Sequence, residues 1–166
     1  SDIRGRAFFR NIGQTRRQGI EATLKARTGG FQLSASYAFI DATYRSPITL
    51  SSPSNPEADE EGLIEVVRGN RLPGLPRHSA TFSADYAGLW GSHRFTIGGD
   101  ITARSSQFLV GDEANLNASV PGYAVFNLRG SVELVNGVSL FGELRNVFDR
   151  QYATFGTFSE VDEIEL

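Results

Sequence analysis

Six stretches of this chain alternate apolar and polar side chains for ten residues or more. In residues 17–28, Ile20, Ala22, Leu24 and Ala26 interleave with Glu21, Thr23, Lys25 and Arg27. In residues 31–45, Phe31, Leu33, Ala35, Tyr37 and Phe39 interleave with Gln32, Ser34 and Ser36. The same period recurs in residues 78–88 (Ala80, Phe82, Ala84, Tyr86), 93–104 (Phe95, Ile97, Ile101, Ala103), 123–135 (Ala124, Phe126, Leu128, Val132, Leu134) and 138–149 (Val138, Leu140, Leu144). A period of two is that of a β-strand, whose successive side chains point to opposite faces of a sheet. Each segment therefore predicts a strand with one apolar and one polar face. A seventh, shorter strand is expected at residues 5–11, and a short β-extension at 63–68. No segment carries a convincing amphipathic helix. The 18 glycines, 12 phenylalanines and 5 tyrosines suit strands and turns.

The connections alternate in length. Residues 28–30, 89–92 and the pair Asn136-Gly137 are tight turns, the last a type I′ hairpin signal. Residues 46–77, 105–122 and 150 onward are long. Alternation alone fits a soluble β-sandwich and a membrane barrel equally, because both bury one face of each strand. Two features favour the barrel. Strands of 11–15 residues exceed the usual five or six of soluble sheets. Short turns at one end with long loops at the other is the outer-membrane pattern.

Charge placement agrees with that reading. Arg17, Glu21, Lys25, Arg27, Asp85, Arg94, Asp100, Arg104, Arg129, Glu133, Glu143, Arg145 and Asp149 all fall on polar faces. The exceptions, Asp41 and Arg45, stand at the long-loop end, beyond the expected bilayer. Phe31, Tyr86, Trp90 and Phe95 gather near the short turns, as an interfacial aromatic girdle would.

Composition narrows the chemistry. Without cysteine there is no disulfide framework, zinc–thiolate site, iron–sulfur cluster or thiol nucleophile in this chain, and two histidines cannot make a histidine-rich metal site. A net charge of −3 gives no general attraction for nucleic acid. No apolar run is long enough for a membrane-spanning helix. His78 has no orienting acid placed beside it by sequence, and Asp59-Glu60-Glu61 lacks the spacing of a calcium loop.

Three strings carry a resemblance. Residues 8–21, with Asn11, Gly13, Arg16, Gly19 and Glu21, resemble the N-x-G-x-x-R-x-x-G-x-E segment of TonB-dependent outer-membrane receptors. Residues 69–78, with Gly69, Arg71, Leu72, Pro73, Pro76 and His78, are similar to the G-x-R-L-P-x-x-P-x-H segment that leads a loop into a strand of these receptors. Residues 144–152, with Asn146, Phe148, Asp149 and Tyr152, resemble the family's N-L-F-D-x-x-Y segment, with Val147 in place of leucine.

The resemblance implies an all-β fold: an antiparallel transmembrane β-barrel segment of six or seven strands from a larger barrel, with short periplasmic turns and long extracellular loops. Residues 1–166 then form a C-terminal portion of the barrel, without the plug domain, TonB box or last strand. The implied function is uptake of a ferric siderophore or similar bulky ligand across a bacterial outer membrane. The implied partners are that ligand, outer-membrane lipid, the rest of the barrel with its plug, and TonB through the missing N-terminal part. No enzymatic activity, cofactor, metal or nucleic-acid partner is expected. Ligand contact, if it uses this part of the wall, is expected from the lumen-facing Arg94, Arg104, Arg129 and Arg145, whose planar forks suit carboxylate or catecholate oxygens. The alternatives are a small complete outer-membrane barrel, a soluble β-domain with a binding or structural role, or an outer-membrane hydrolase. The first would need an even strand count and a closed sheet. The last would need a nucleophile, a base and an orienting acid within reach.

Overall fold

The computed structural model describes residues 13–135 and 137–158, and among these are eight strands and no helix. The strands are β1 (Thr15–Thr28), β2 (Phe31–Tyr44), β3 (Ile48–Ser51), β4 (Leu63–Val66), β5 (His78–Trp90), β6 (His93–Arg104), β7 (Tyr123–Val135) and β8 (Val138–Leu144). Six of them form one antiparallel meander in the order β1-β2-β5-β6-β7-β8, and β3 and β4 pair apart as a small hairpin. The first and last strands of the meander do not pair with each other, so the sheet is open. The strand expected at residues 5–11, and Asn136 of the expected turn, lie outside the described residues.

Local chemistry explains where the strands stop. The tight turns hold Gly29, Gly30, Gly91 and Gly137, all at positive φ, which a side chain disfavours and glycine adopts freely. β8 ends at Leu144, five residues short of the expected boundary. Asn146 and Asp149 there take φ of 49° and 48°, and such left-handed residues cannot continue a strand. The Asn146 side chain closes the turn on itself: Nδ2 donates to Arg150 O (3.1 Å), and Oδ1 accepts from Arg150 N (3.0 Å). β3 was not expected, while β4 falls within the expected extension at 63–68.

The registers place every long strand's apolar set on one face. Leu24 is opposite Ala35, Ala35 opposite Phe82, and Phe82 opposite Ile101, while Ile101 is opposite Phe126. A one-residue slip anywhere would move such a set to the other face. This apolar face is uncovered. Ile20 is 68% exposed, Leu24 70%, Ile97 57% and Leu140 62%. No second sheet packs on it, so the sandwich arrangement is absent among the described residues.

At the loop end the two faces exchange character. β2 runs past β5, whose pairing with it stops at Phe39↔His78. Residues 69–77 take over as its neighbour: Arg77 O accepts from Ile40 N (2.9 Å), Ala42 O from Leu72 N (2.9 Å) and Asn70 O from Tyr44 N (2.9 Å). Ile40, Ala42 and Tyr44 stand on the otherwise polar face, and here they pack under the β3–β4 hairpin with Ile64, Val66 and Leu72. Asp41 and Thr43 take the other side. The buried core of the chain therefore sits above the wall, under the loops, and not between sheets.

Candidate functional site

The polar face carries short hydroxyls, scattered charges and an ionic cluster that spans three strands. Ser34 and Ser83 are 3.2 Å apart across β2 and β5, and Thr81 and Thr102 are 3.5 Å apart across β5 and β6. Below them Arg129 reaches from β7 over β6 to β5. Its Nε and Nη2 donate to the two carboxylate oxygens of Asp85 at 2.8 and 2.7 Å, and its Nη1 donates to Asp100 at 2.8 Å. Such paired, charge-assisted contacts fix a guanidinium in place and in plane. Asp100 also accepts from Asn127 Nδ2 at 2.8 Å, and Asn127 Oδ1 accepts the Asn146 amide at 2.9 Å. One chain of polar contacts thus joins the mid-wall to the turn that follows β8.

The four arginines expected to meet ligand occupy different settings. Arg129 has donors committed to two carboxylates. Arg145, just after β8, pairs with Glu143 of that edge strand at 3.0 Å, and both are exposed. Arg94 lies at the turn end of β6. Arg104 is the last residue of β6, at the loop end, where Nη1 donates to Ser79 Oγ at 3.2 Å. They do not converge on one point: Arg94 and Arg104 stand at opposite ends of the same strand.

The long loops form a single cap. Its centre is Asp112, which is fully buried. Oδ1 of Asp112 accepts from Leu116 N (3.0 Å) and Asn117 Nδ2 (3.2 Å), while Oδ2 accepts from Asn117 N (3.1 Å). A buried carboxylate holds its place when backbone amides satisfy it in this way. The preceding carbonyl, Gly111 O, accepts from Ser52 Oγ and Asn55 Nδ2, both at 2.8 Å, which ties residues 46–77 to residues 105–122. Asn117 Nδ2 also donates to Asn55 Oδ1 at 2.9 Å. Asn115, at φ 58°, exchanges two bonds with the Arg71 backbone, at 2.6 and 3.0 Å. Asn70 donates to Ala114 O. The segment after β8 joins from the third side, with Thr154 O accepting from Gln107 Nε2 (3.0 Å) and Val110 paired in parallel with Thr157.

Arg71 lies within this cap, its guanidinium 5.4 Å above the Phe108 ring. Burial pushes its pKa below the ordinary arginine value, Arg77 adds to the fall, and Asp41 opposes it. Arg77 itself bonds Asp41 at 2.9 Å.

Hydropathy periodicity does not reveal this network. Its cross-loop partners lie 44 to 62 residues apart, but the composition of residues 111–117, with Asp112, Asn115 and Asn117, was a local signal. Asp and Asn at such spacing bond nearby backbone in preference to continuing a strand. The acidic stretch 57–61 is also in this region, where Asp59 Oδ1 accepts from Glu61 N and Leu63 N at 3.0 and 2.8 Å. Asp59 is therefore engaged in shaping the turn into β4. His78 Nδ1 lies 2.8 Å from the Tyr37 hydroxyl on the apolar face, away from any carboxylate within salt-bridge reach among the described residues. No group of three or more metal-binding side chains occurs among the described residues.

A family model described as TonB dependent receptor-like, beta-barrel, matches residues 1–147. Among solved structures the chain is similar to the siderophore receptor PiuA from Acinetobacter baumannii, with 22% identity, 90% of this chain and 20% of that chain covered, and a TM-score of 0.73. A second match is BauA, the ferric preacinetobactin receptor of the same organism, with 17% identity, 83% and 26% coverage and a TM-score of 0.46. The likeness to PiuA is one of fold, and the chain spans 20% of that receptor's length.

Proposed function

The chain belongs to the TonB-dependent receptor-like β-barrel family, and from that premise we propose that it forms part of the wall and outer mouth of a bacterial outer-membrane receptor importing a ferric siderophore or a similarly bulky ligand. In this reading residues 1–166 are a C-terminal portion of the barrel, and further strands, a plug domain and a TonB-binding segment belong to the same protein. The observation that carries it is the two-faced sheet. One face is apolar and uncovered, the other holds the Asp85–Arg129–Asp100 cluster, and the long loops are knitted over one end only. Lipid accounts for the first face and an aqueous lumen for the second. The open edges at β1 and β8 support the larger barrel, because unpaired strand edges do not persist in hydrocarbon.

Ligand contact from this part of the wall falls first to Arg104. It stands on the lumen face just below the loop cap, and its bond to Ser79 leaves other guanidinium donors for an anionic chelate. Arg94, Arg129 and Arg145 are secondary candidates, the last two because a ligand would compete with the carboxylates they already hold. The test is iron uptake by the full-length protein in a strain lacking other receptors. Cells under iron limitation are given radiolabelled ferric catecholate, hydroxamate and carboxylate chelates. Accumulation of one class, abolished when the inner-membrane energy supply is disabled, is the expected result. Protein correctly inserted in the outer membrane that accumulates none of them would overturn the ligand assignment.

A further inference from the structure

Charge on the apolar face is confined to one end. Within the six long strands the only Asp, Glu, Lys or Arg residues on that face are Arg16 and Asp41, both at the loop end. Arg45 continues the ladder by one step, its amide donating to Gln14 O at 2.7 Å, so alternation sets it on the same face. Arg16 is opposite Thr43, which makes Arg16 and Arg45 diagonal neighbours about 7–8 Å apart. Both are exposed, and neither has a carboxylate within 4.0 Å among the described residues. Asp41, the acid on this face, is taken by Arg77 at 2.9 Å and by Gln18 at 3.4 Å. Directly beneath lie Phe39, Tyr37 and His78, with Tyr37 and His78 hydrogen-bonded and the Phe39 and His78 rings 5.2 Å apart. Below these the face is apolar and uncharged, with Leu24, Ala35 and Phe82 in register. The turn end of the same face offers the contrast: Phe31, Tyr86, Trp90 and Phe95, without a formal charge.

We propose that Arg16 and Arg45 form a binding site for the phosphate of an outer-leaflet lipid whose acyl chains lie along Ile20, Ala22 and Leu24. The inference rests on the reading above that this face meets lipid. Two arginine forks a diagonal apart can close on one phosphate, and arginine suits that oxyanion because it presents paired donors in a plane. The amide groups of Gln14 and Gln18, on the same side of β1, add further donors. The aromatic pair beneath marks the depth at which hydrocarbon gives way to headgroup. An anionic headgroup there neutralises two cations that have no carboxylate partner among the described residues. The site is specific to the β1–β2 rim, since β6, β7 and β8 bring no cation to this face.

The full-length receptor, purified in mild detergent, is examined by native mass spectrometry with added bis-phosphorylated lipid A, with the same lipid dephosphorylated, and with inorganic phosphate as competitor. The parent should retain the phosphorylated lipid and not its dephosphorylated form. Arg16→Gln/Arg45→Gln should reduce retention at least about tenfold, while Arg27→Gln, at the turn end of the polar face, should not. Equal retention by the double variant, or full displacement by millimolar inorganic phosphate, overturns the proposal. Fractionation of the same cells separates the two readings. A double variant found in the outer membrane with unchanged lipid binding removes only the rim site, whereas parent protein absent from that membrane removes the barrel assignment beneath it.

Discussion

Asp85 and Arg129 sit on strands that are not neighbours, yet they form a bidentate ion pair with bonds of 2.7 and 2.8 Å. The strand between them presents Gly98 opposite both. A Cβ at Gly98 would collide with the Asp85 carboxylate and lie 2.8 Å from Ala84 O. The missing side chain is the passage through which the pair closes. Asp100, two residues on along the same strand, receives the remaining arm of the guanidinium at 2.8 Å. Three strands are thereby clamped on the lumen side, where hydrogen-bond ladders alone would hold them.

Gly98→Ala should therefore destabilise the full-length barrel by about 1–3 kcal/mol, the usual cost of forcing a group into an occupied space. Gly130→Ala is the matched control, because its nearest neighbour is Thr96 O at 3.5 Å, an ordinary contact. The temperature at which the folded band disappears in heat-modifiability gels reports both.

Arg129 and Arg104 should separate stability from binding. Arg129→Gln leaves Asp85 and Asp100 without their shared cation and should lower the same transition temperature. Arg104→Gln loses a single bond to Ser79 and should leave that temperature unchanged. In the ligand assay Arg104→Gln should weaken capture by about 1–3 kcal/mol for each charge-assisted bond lost. Fluorescence titration of the purified receptor measures it. Unchanged affinity in Arg104→Gln would move ligand recognition to the loops.

The cap should open without the wall following it. Asp112→Ala strands the amides of Leu116 and Asn117, at a local cost of about 1–3 kcal/mol. Limited proteolysis of intact cells should then cut the variant within residues 46–77 and 105–122 and leave the parent intact there. The heat-modifiability transition should remain that of the parent.

Legibility in the sequence tracked the range of the interactions. The six long strands could be read because their periodicity is local, and the side chains of Ile20, Leu24, Leu33, Phe82, Ile97, Leu128 and Leu140 share one face as expected. Phe141 departs from that periodicity, belonging to the polar face and 83% exposed beside Ser131 on β7, and Leu89 stands on that face too, opposite Arg94. β8 was read too long because Asn146 and Asp149 leave strand geometry through a backbone conformation that hydropathy does not register. β3 has four residues, too few to establish a period. The exchange of faces at Ile40, Ala42 and Tyr44 needed the loop that covers them. Arg129 was legible as a lumen charge, but its commitment to Asp85 depended on a glycine one strand away. Asp112 was invisible as a centre because its cap is assembled from three separate connections.

A charge placed on the apolar face should be costly, and the same charge one residue away should not. Leu24→Arg is expected to cost about 2–4 kcal/mol in folding into lipid vesicles, whereas Thr23→Arg, pointing into the lumen, should be close to neutral. Folding yield against denaturant concentration gives the comparison.

The central claim is that one face of this sheet meets lipid and the other meets water, and spin labels along β6 test it most directly. These 166 residues contain no cysteine to replace, so Thr96, Ile97, Ile101 and Thr102 of the full-length protein can each be changed to cysteine and labelled in bilayers. Labels at positions 97 and 101 should be relaxed by oxygen, which partitions into hydrocarbon, and those at 96 and 102 by a water-soluble nickel chelate. Equal access of both reagents to all four positions, or the opposite phase, would contradict the account.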